Sequence, residues 1–145
     1  MDPNKKLIKI LLAEDNDDDI VMIKDAFTRS KIINSFDVVK NGEEALSFLN
    51  KEGPYADRDR PGLILLDINM PKKNGFEVLE ALKQDPRFDY IPVIMLTTSE
   101  REEDIVKSYK AGACSYITKP VNFNNFSKVI DQFALYWALI SRIPS

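Results

Sequence analysis

Three acidic side chains stand at the ends of two short apolar runs. Glu14 and Asp15 follow the run LIKILLA, and Asp67 is the last residue of LILLD. If these side chains meet in space, their oxygens form a set of hard ligands without imidazole or thiolate. Such a set suits Mg²⁺ better than Ca²⁺ or Mn²⁺. Neighbouring carboxylates also repel one another unless a cation joins them. The pattern therefore predicts a magnesium site, although an isolated pair such as Glu14 and Asp15 is typical of a solvated helix cap.

Hydroxyl and ammonium groups follow two further apolar runs. Thr97 and Thr98 close the run VIMLT, and Lys119 follows CSYIT. An ammonium group near the acids neutralises a phosphoryl group, and a threonine hydroxyl donates a hydrogen bond to one of its oxygens. A carboxylate in such a field is a nucleophile for phosphorus and forms an aspartyl phosphate. We assign that role to Asp67, because it ends the strand expected at the centre of the sheet.

The elements that must bring these residues together alternate along the chain. Five apolar runs, LIKILLA, SFDVV, LILLD, VIMLT and CSYIT, are separated by stretches in which apolar residues recur at helical spacing. This alternation predicts an α/β fold, a doubly wound parallel sheet of five strands with five helices. Right-handed crossovers return every strand in the same direction, so the acids, the threonines and the lysine should meet at the carboxyl edge of the sheet.

Local signals mark the starts of several helices. The acidic run at 17–19 suits the first turn of a helix after the first strand, where backbone N–H groups favour negative charge. Asn41 with Glu44, and Ser99 with Glu102, have the spacing of capping boxes. These signals agree with a helix after each strand.

Length and composition bound the class of protein. The chain has 145 residues, of which 44% are apolar and 30% charged. At roughly 150 residues per domain this predicts a single domain over residues 1–145 with no output domain. Residues 51–62, KEGPYADRDRPG, predict a surface loop before the third strand, because proline and glycine there disfavour a strand or an amphipathic helix.

Charge and missing residue types exclude several functions. The net charge is −3 and no basic stripe is present, which argues against nucleic acid as a partner. The chain has no histidine, so Ser-His-Asp, Cys-His and imidazole metal sites are excluded, and any phosphohistidine must belong to a partner. With the single Cys114, no signal peptide and no long apolar stretch, we expect a cytoplasmic protein that does not enter a membrane.

Four motifs in order resemble the receiver domains of two-component response regulators. They are ED at 14–15, LLDINMPKKNGFE from 65, MLTTS from 95 and YITKP from 116, and the resemblance covers essentially the whole chain. It implies the flavodoxin-like receiver fold with strand order 2-1-3-4-5. It also implies a signalling protein, not a conventional enzyme, that accepts a phosphoryl group from a histidine kinase in a Mg²⁺-dependent reaction. The phosphorylated form then signals by a conformational or interaction switch in a phosphorelay.

The same resemblance implies a role for each motif residue. Asp67 would accept the phosphoryl group, while Thr97 contacts its oxygen and Lys119 pairs with its charge. Thr97 and Tyr116 would move together as the switch, and Pro120 would follow a cis peptide that aims the lysine. The metal ligands of the family correspond to Glu14 through water, Asp15, Asp67 and the backbone carbonyl of Asn69. Glu14 stands where the family more commonly has aspartate, and the 51–62 loop lengthens the usual spacing to Asp67.

The last predicted helix carries more apolar side chains than one face can bury. One stripe at helical spacing can face the sheet, formed by Phe123, Phe126, Val129 or Ile130, Phe133, Trp137 and Ile140. The segment FALYWALI, residues 133–140, is apolar nearly all round, so other apolar side chains then fall on other faces. They are Leu135, Tyr136, Leu139 and Ile143. A second copy of the chain is their most economical cover, which predicts a homodimer through this helix; the alternative is a helix that extends past the sheet with scattered exposed side chains. With the long loop, this tail resembles stand-alone response regulators that serve phytochrome-type histidine kinases in cyanobacteria.

Two other functions remain open at this point. A Mg²⁺-dependent phosphohydrolase with an aspartyl-phosphate intermediate on Asp67 needs the same acids and lysine, but it would turn its substrate over many times where a receiver holds the phosphoryl group. The chain is also short for such an enzyme, because it leaves no room for a cap domain. A docking module would bind its partner whether or not it was phosphorylated.

Overall fold

The computed structural model describes residues 7–29, 34–98, 101–119 and 123–140, and within the last range it leaves out the side chains of residues 123, 125, 134 and 136–140. Five strands in this part of the chain form one parallel sheet in the order β2-β1-β3-β4-β5. They are β1 (Ile8–Ala13), β2 (Asn34–Val39), β3 (Leu63–Asp67), β4 (Val93–Thr97) and β5 (Ser115–Thr118). The predicted fold class and strand order are confirmed.

Helices follow the strands and cover both faces of the sheet. They are α1 (Asp17–Thr28), α2 (Gly42–Leu49), α3 (Gly75–Lys83), α4 (Glu102–Lys110) and α5 (Phe123–Ile140). Residues of α1 and α5 build the core on one face, where the ring of Phe27 meets the edges of Phe36 and Phe126 at 5.4 and 5.6 Å between centroids. Residues of α2 and α3 build the core on the other face. Every residue of β3 and β4 is buried as a result, including the polar Asp67 and Thr97 at their ends.

Asparagine side chains cap three of these helices. Asn16, Asn41 and Asn74 each accept a hydrogen bond from the backbone N–H three residues later, at 2.9 to 3.0 Å. Asn74 and Glu77 form a complete capping box that the sequence analysis did not note. The predicted cap at Asn41 is present, but the Glu44 carboxylate accepts from the N–H of Lys40 instead of closing the box.

The start of α4 differs from the prediction. Its cap position is Arg101, which makes no side-chain capping bond, so the helix begins later than a box formed by Ser99 and Glu102 would require. Ser99 itself lies outside the described residues. Of the residues of α4 only Ser108 is buried, whereas Val106 and Tyr109 are exposed. This helix is therefore held to the domain by few buried contacts.

The 51–62 loop lies on the surface before β3, as predicted, but it contains a single 3₁₀ turn, Gly53–Tyr55. The ring of Tyr55 packs against Phe48 of α2 at 5.4 Å. Arg58 pairs with Asp37 of β2 at 3.3 Å, and Lys9 of β1 pairs with Asp59. The additional residues are thus attached at the amino end of the sheet, away from Asp67.

The last helix buries the part of the predicted stripe whose side chains are described, whereas the side chains of Phe123, Trp137 and Ile140 lie outside the described residues. Phe126, Ile130 and Phe133 face the core, whereas Leu135 is 71% exposed. The side chains of Tyr136 and Leu139, and the whole of Ile143, lie outside the described residues. No helix among the described residues combines the length and the hydropathy that crossing a membrane requires.

Candidate functional site

The strand register brings the predicted residues to one edge of the sheet. Ala13 pairs with Leu66, so the following residues, Glu14 and Asp67, stand side by side after β1 and at the end of β3. Asp67 pairs with Leu96, which places Thr97 next along β4. On the far side, the N–H of Lys119 donates to the carbonyl oxygen of Thr97 at 2.6 Å. Four strand ends therefore supply the side chains of one site.

The ammonium group of Lys119 is the centre of this site. Its Nζ lies 2.7 Å from Glu14 Oε2, 3.1 Å from Asp67 Oδ2 and 3.2 Å from Asp19 Oδ2. The side chains of Lys119, Glu14 and Asp67 are 9%, 0% and 5% exposed. Charges that are largely removed from water interact more strongly than those on the surface. Lys119 therefore holds the two buried carboxylates together.

Asp67 is fixed through both of its carboxylate oxygens. Oδ1 accepts a hydrogen bond from the N–H of Asn69 at 3.2 Å, and Oδ2 accepts one from Lys119. The loop beyond returns closely to this strand end, since the N–H of Gly75 donates to the carbonyl of Ile68 at 2.9 Å. A Cβ atom on Gly75 would lie 2.5 Å from the Asp67 carbonyl oxygen, so only glycine allows α3 to begin here.

The acidic residues fit a divalent cation. Glu14, Asp15 and Asp67 each offer a carboxylate oxygen, and these oxygens lie within 4.8 Å of one another. Glu14 Oε2 is buried and, apart from its ionic contact with Lys119, no described donor is aligned with it for a hydrogen bond. Asp15 is exposed at the edge of the cluster. A hard cation entering from that side would meet oxygen ligands only.

Burial and charge shift two pKa values in the site. Burial raises the pKa of Glu14 to about 7, and the charge of Asp67 acts in the same direction, while the Lys119 ammonium opposes the rise. Burial alone would lower the pKa of Lys119, but its contacts with Glu14 and Asp67 outweigh this and raise the pKa above the ordinary value. Lys119 is therefore a cation at neutral pH, and Glu14 exchanges a proton near neutrality.

The remaining predicted residues surround this centre. Thr97 is buried at the end of β4. Tyr116 is half-buried on β5, where it packs against the core on the α2 and α3 face. Asn69 is exposed, and its N–H already binds Asp67. Pro120, for which a cis peptide was predicted, lies outside the described residues. The switch role of Tyr116 and the metal contact of the Asn69 carbonyl stay predictions.

Sequence reasoning missed Asp19 as part of the site. The acidic run at 17–19 does form the first turn of α1, as predicted. However, Asp19 also points back to Lys119, and its side chain is only 17% exposed. The available signal was its position: the first turn of a helix that directly follows β1 lies over the carboxyl edge of the sheet.

Comparisons with known proteins agree with this geometry. Residues 10–131 match the response regulator receiver domain family. Response regulator Rcp1 of Synechocystis sp. is 37% identical over 136 residues, which cover 94% of this chain and 92% of that protein. The crystal structure of phosphorylated RcpA, a cyanobacterial phytochrome response regulator, has a TM-score of 0.81 and 41% identity and covers 97% of this chain and 100% of its own. The crystal structure of the Mn²⁺-bound form of Rcp1 has a TM-score of 0.79 and 36% identity, and the match covers 95% of this chain and 99% of that one.

Proposed function

Because the chain belongs to the response regulator receiver domain family, we propose that Asp67 accepts a phosphoryl group from the phosphohistidine of a sensor histidine kinase. The buried contact between Asp67 and Lys119, beside a cluster of acidic oxygens, carries this proposal. Homology to Rcp1 and RcpA supports a phytochrome-type kinase as the donor. The phosphorylated chain then acts by contact or by passing the phosphoryl group on, as a single receiver domain over residues 1–145.

The proposed transfer is a displacement at phosphorus. A carboxylate oxygen of Asp67 forms the new P–O bond while the P–N bond to the kinase imidazole breaks, and its electron pair stays on the imidazole nitrogen. Lys119, held 3.1 Å from Asp67 Oδ2, neutralises charge on the transferred oxygens. The hydroxyl of Thr97, at the neighbouring strand end, donates a hydrogen bond to one of these oxygens. The chain itself has no histidine that could compete as acceptor.

We assign the cation as Mg²⁺, held by Glu14 through water, by Asp15 and Asp67, and by the carbonyl of Asn69. Carboxylate, carbonyl and water oxygens are the ligands that Mg²⁺ prefers, and it commonly shares its shell with phosphate oxygens. When bound, the ion offsets the negative charge of the phosphoryl oxygens. The convergence of carboxylate oxygens from Glu14, Asp15 and Asp67 within 4.8 Å of one another supports this assignment.

The simplest test of the proposed function is incubation with a small phosphodonor and Mg²⁺, followed by intact-protein mass measurement. A receiver gains one phosphoryl group, acid-stable and base-labile, and releases it over seconds or longer. A phosphohydrolase would instead consume the donor many times over on each chain without accumulating the adduct. Membership of a signalling family favours the first outcome.

Mg²⁺ affinity should depend on pH through Glu14. Because burial raises the pKa of Glu14 to about 7, the proton and the cation compete for this carboxylate near neutrality. Affinity should fall as the pH is lowered through this value, by about tenfold between about pH 8 and about pH 6. Calorimetric titration with Mg²⁺ in buffers of different ionisation enthalpy measures both the affinity and the released proton.

The matched control for this titration is Glu14→Gln, which keeps the shape of the side chain and removes its proton exchange. In that variant the affinity should vary little over the same pH interval, and no proton should be released. A wild-type affinity that stays constant between the two pH values would contradict the proposed competition.

The proposed switch moves a weakly anchored part of the fold. Thr97 and Tyr116 lie on the neighbouring strands β4 and β5, and α4 contributes one buried residue to the domain. A phosphoryl group that draws in the Thr97 hydroxyl frees space for the half-buried Tyr116 ring. Such a local change can shift the balance between two positions of α4, because few buried contacts hold this helix in one of them.

We further propose that the chain forms a homodimer through α5, with Leu135, Tyr136, Leu139 and Ile143 at the interface. The strongly exposed Leu135 supports this, because a large apolar side chain on the helix surface gains free energy from being covered. Leu135→Arg should weaken self-association and leave Mg²⁺ affinity unchanged, and Tyr136→Arg and Leu139→Arg should act in the same way.

Sedimentation equilibrium at micromolar concentration measures this association. Val21→Arg on α1, a similarly exposed apolar position, is the control and should remain as dimeric as the wild type. A monomeric wild type at these concentrations would end the dimer proposal. The cytoplasm as location and the lack of a nucleic-acid partner rest on the composition and stay part of the proposal.

A further inference from the structure

We propose that Asp19 is a positioning residue for phosphoryl transfer and that it acts by anchoring the ammonium group of Lys119. Asp19 Oδ2 lies 3.2 Å from Lys119 Nζ, and the Asp19 side chain is 17% exposed. The backbone of Asp19 is itself fixed, because its N–H donates to the side chain of the capping residue Asn16 at 3.0 Å. Lys119 therefore meets a third carboxylate, at the capped start of α1.

Asp19 stands apart from the cation cluster. The oxygens that converge within 4.8 Å belong to Glu14, Asp15 and Asp67, and Asp19 is not among them. Lys119, in contrast, contacts two members of that cluster and Asp19 at once. Asp19 thus contacts the ammonium group of Lys119 without belonging to the cation cluster.

The separate position of Asp19 matters once the other acids are occupied. A cation would be held by Glu14 and Asp67, and phosphorylation would convert the Asp67 carboxylate from an ionic partner of Lys119 into an acyl phosphate. Asp19 is the contact of Lys119 that neither event consumes. A lysine side chain is a flexible four-carbon stem, so an anchor that restricts it keeps the ammonium in reach of the transferred oxygens.

This inference rests on the proposed function and adds a specific kinetic role to it. Asp19→Asn should slow phosphorylation by a small phosphodonor at saturating Mg²⁺ by about fivefold, the effect expected from losing a partly exposed ion pair. Asp19→Glu should recover most of the rate, because the longer carboxylate still reaches Lys119. The rate is followed by intact-protein mass against time.

Asp18→Asn is the matched control for this measurement. It removes the same charge from the same turn of α1, but Asp18 is exposed, and the ion pairs of Lys119 within the described residues are with Glu14, Asp19 and Asp67. Its rate should equal that of the wild type. A second measurement adds Asp19→Asn to Lys119→Met, where it should cause no further loss, because the group that Asp19 anchors is gone.

The outcomes separate this inference from the proposed function. If the wild type accepts no phosphoryl group from either a small donor or a phosphorylated histidine kinase, the proposed function fails. If the wild type is phosphorylated but Asp19→Asn matches Asp18→Asn, the positioning role is wrong. Equal losses from Asp19→Asn with and without Lys119 would also overturn it, because Asp19 would then act through the fold or the overall charge.

Discussion

Asp67→Asn is expected to abolish phosphoryl acceptance while leaving the domain folded. An amide has no oxygen nucleophilic enough to attack phosphorus. Of the three described carboxylates that contact Lys119, Asp67 is the one that lies within a strand, at the end of β3. The substitution keeps the side-chain volume, and the amide oxygen can still accept from the N–H of Asn69. It also removes one negative charge beside Glu14, so we expect no loss of stability.

Intact-protein mass after incubation with a small phosphodonor and Mg²⁺ measures this effect. The wild type should gain one phosphoryl group, and both Asp67→Asn and an EDTA-treated wild-type sample should gain none. Asp131→Asn, an exposed position on α5, controls for the change of residue type and should be phosphorylated normally. An adduct that persists in Asp67→Asn would place the acceptor elsewhere.

A folded wild type that gains no adduct from the small donor is tested next with a phosphorylated histidine kinase. Transfer from the kinase supports the proposed function and assigns the earlier failure to the donor. No transfer from either source, with Mg²⁺ bound, contradicts the proposed function and favours a docking module that retains these residues without the reaction.

The central fold was predictable from sequence because its strands are buried on both faces. A strand without a solvent face needs no alternation, so β3 and β4 appear in the sequence as the unbroken runs LILLD and VIMLT. The less buried β2 begins one residue earlier than the run SFDVV indicated, at Asn34, because its residues are mostly half-buried and mix polar with apolar types. Strands that are buried on both faces are thus the easiest to predict from the sequence, because they form unbroken apolar runs.

A site residue could be predicted from the sequence where the strand that carries it could be predicted. Asp67, Thr97 and Lys119 lie at the ends of readable strands, so their meeting follows from the parallel direction of the sheet. Asp19 is different, because its contact depends on how the first turn of α1 is rotated over the sheet edge and on the path of the long Lys119 side chain. The spacing of residues along the sequence predicts neither the rotation of this turn nor the path of the lysine side chain.

Lys119→Met is expected to slow phosphoryl acceptance by about a hundredfold or more, since a preorganised cation beside developing negative charge is among the largest contributions to such a transfer. Methionine keeps the length and apolar stem of the side chain but removes the charge that contacts Glu14, Asp19 and Asp67. The rate of adduct formation by intact-protein mass measures the loss. Lys128→Met, at an exposed position on α5, should leave the rate unchanged.

The same variant should also be less stable without metal. Removing Lys119 leaves the buried Glu14 and Asp67 without their shared counter-ion, which costs on the order of 3 kcal/mol in the free energy of unfolding. Glu14 already has its pKa raised to about 7 by burial, and losing the ammonium that opposes this rise raises it further. Glu14 is therefore protonated below neutrality, so the difference in stability from the wild type should be largest above pH 7 and shrink as the pH falls.

Urea unfolding of wild type and Lys119→Met, with and without Mg²⁺, measures this difference. A divalent cation supplies positive charge to the same carboxylates, so Mg²⁺ should stabilise the variant more than the wild type while its phosphorylation stays slow. The ion would then restore stability without restoring the transfer rate, because it does not replace the ammonium group that contacts Asp67 Oδ2. A variant as fast as the wild type, or one that Mg²⁺ stabilises no further, would contradict this role for Lys119.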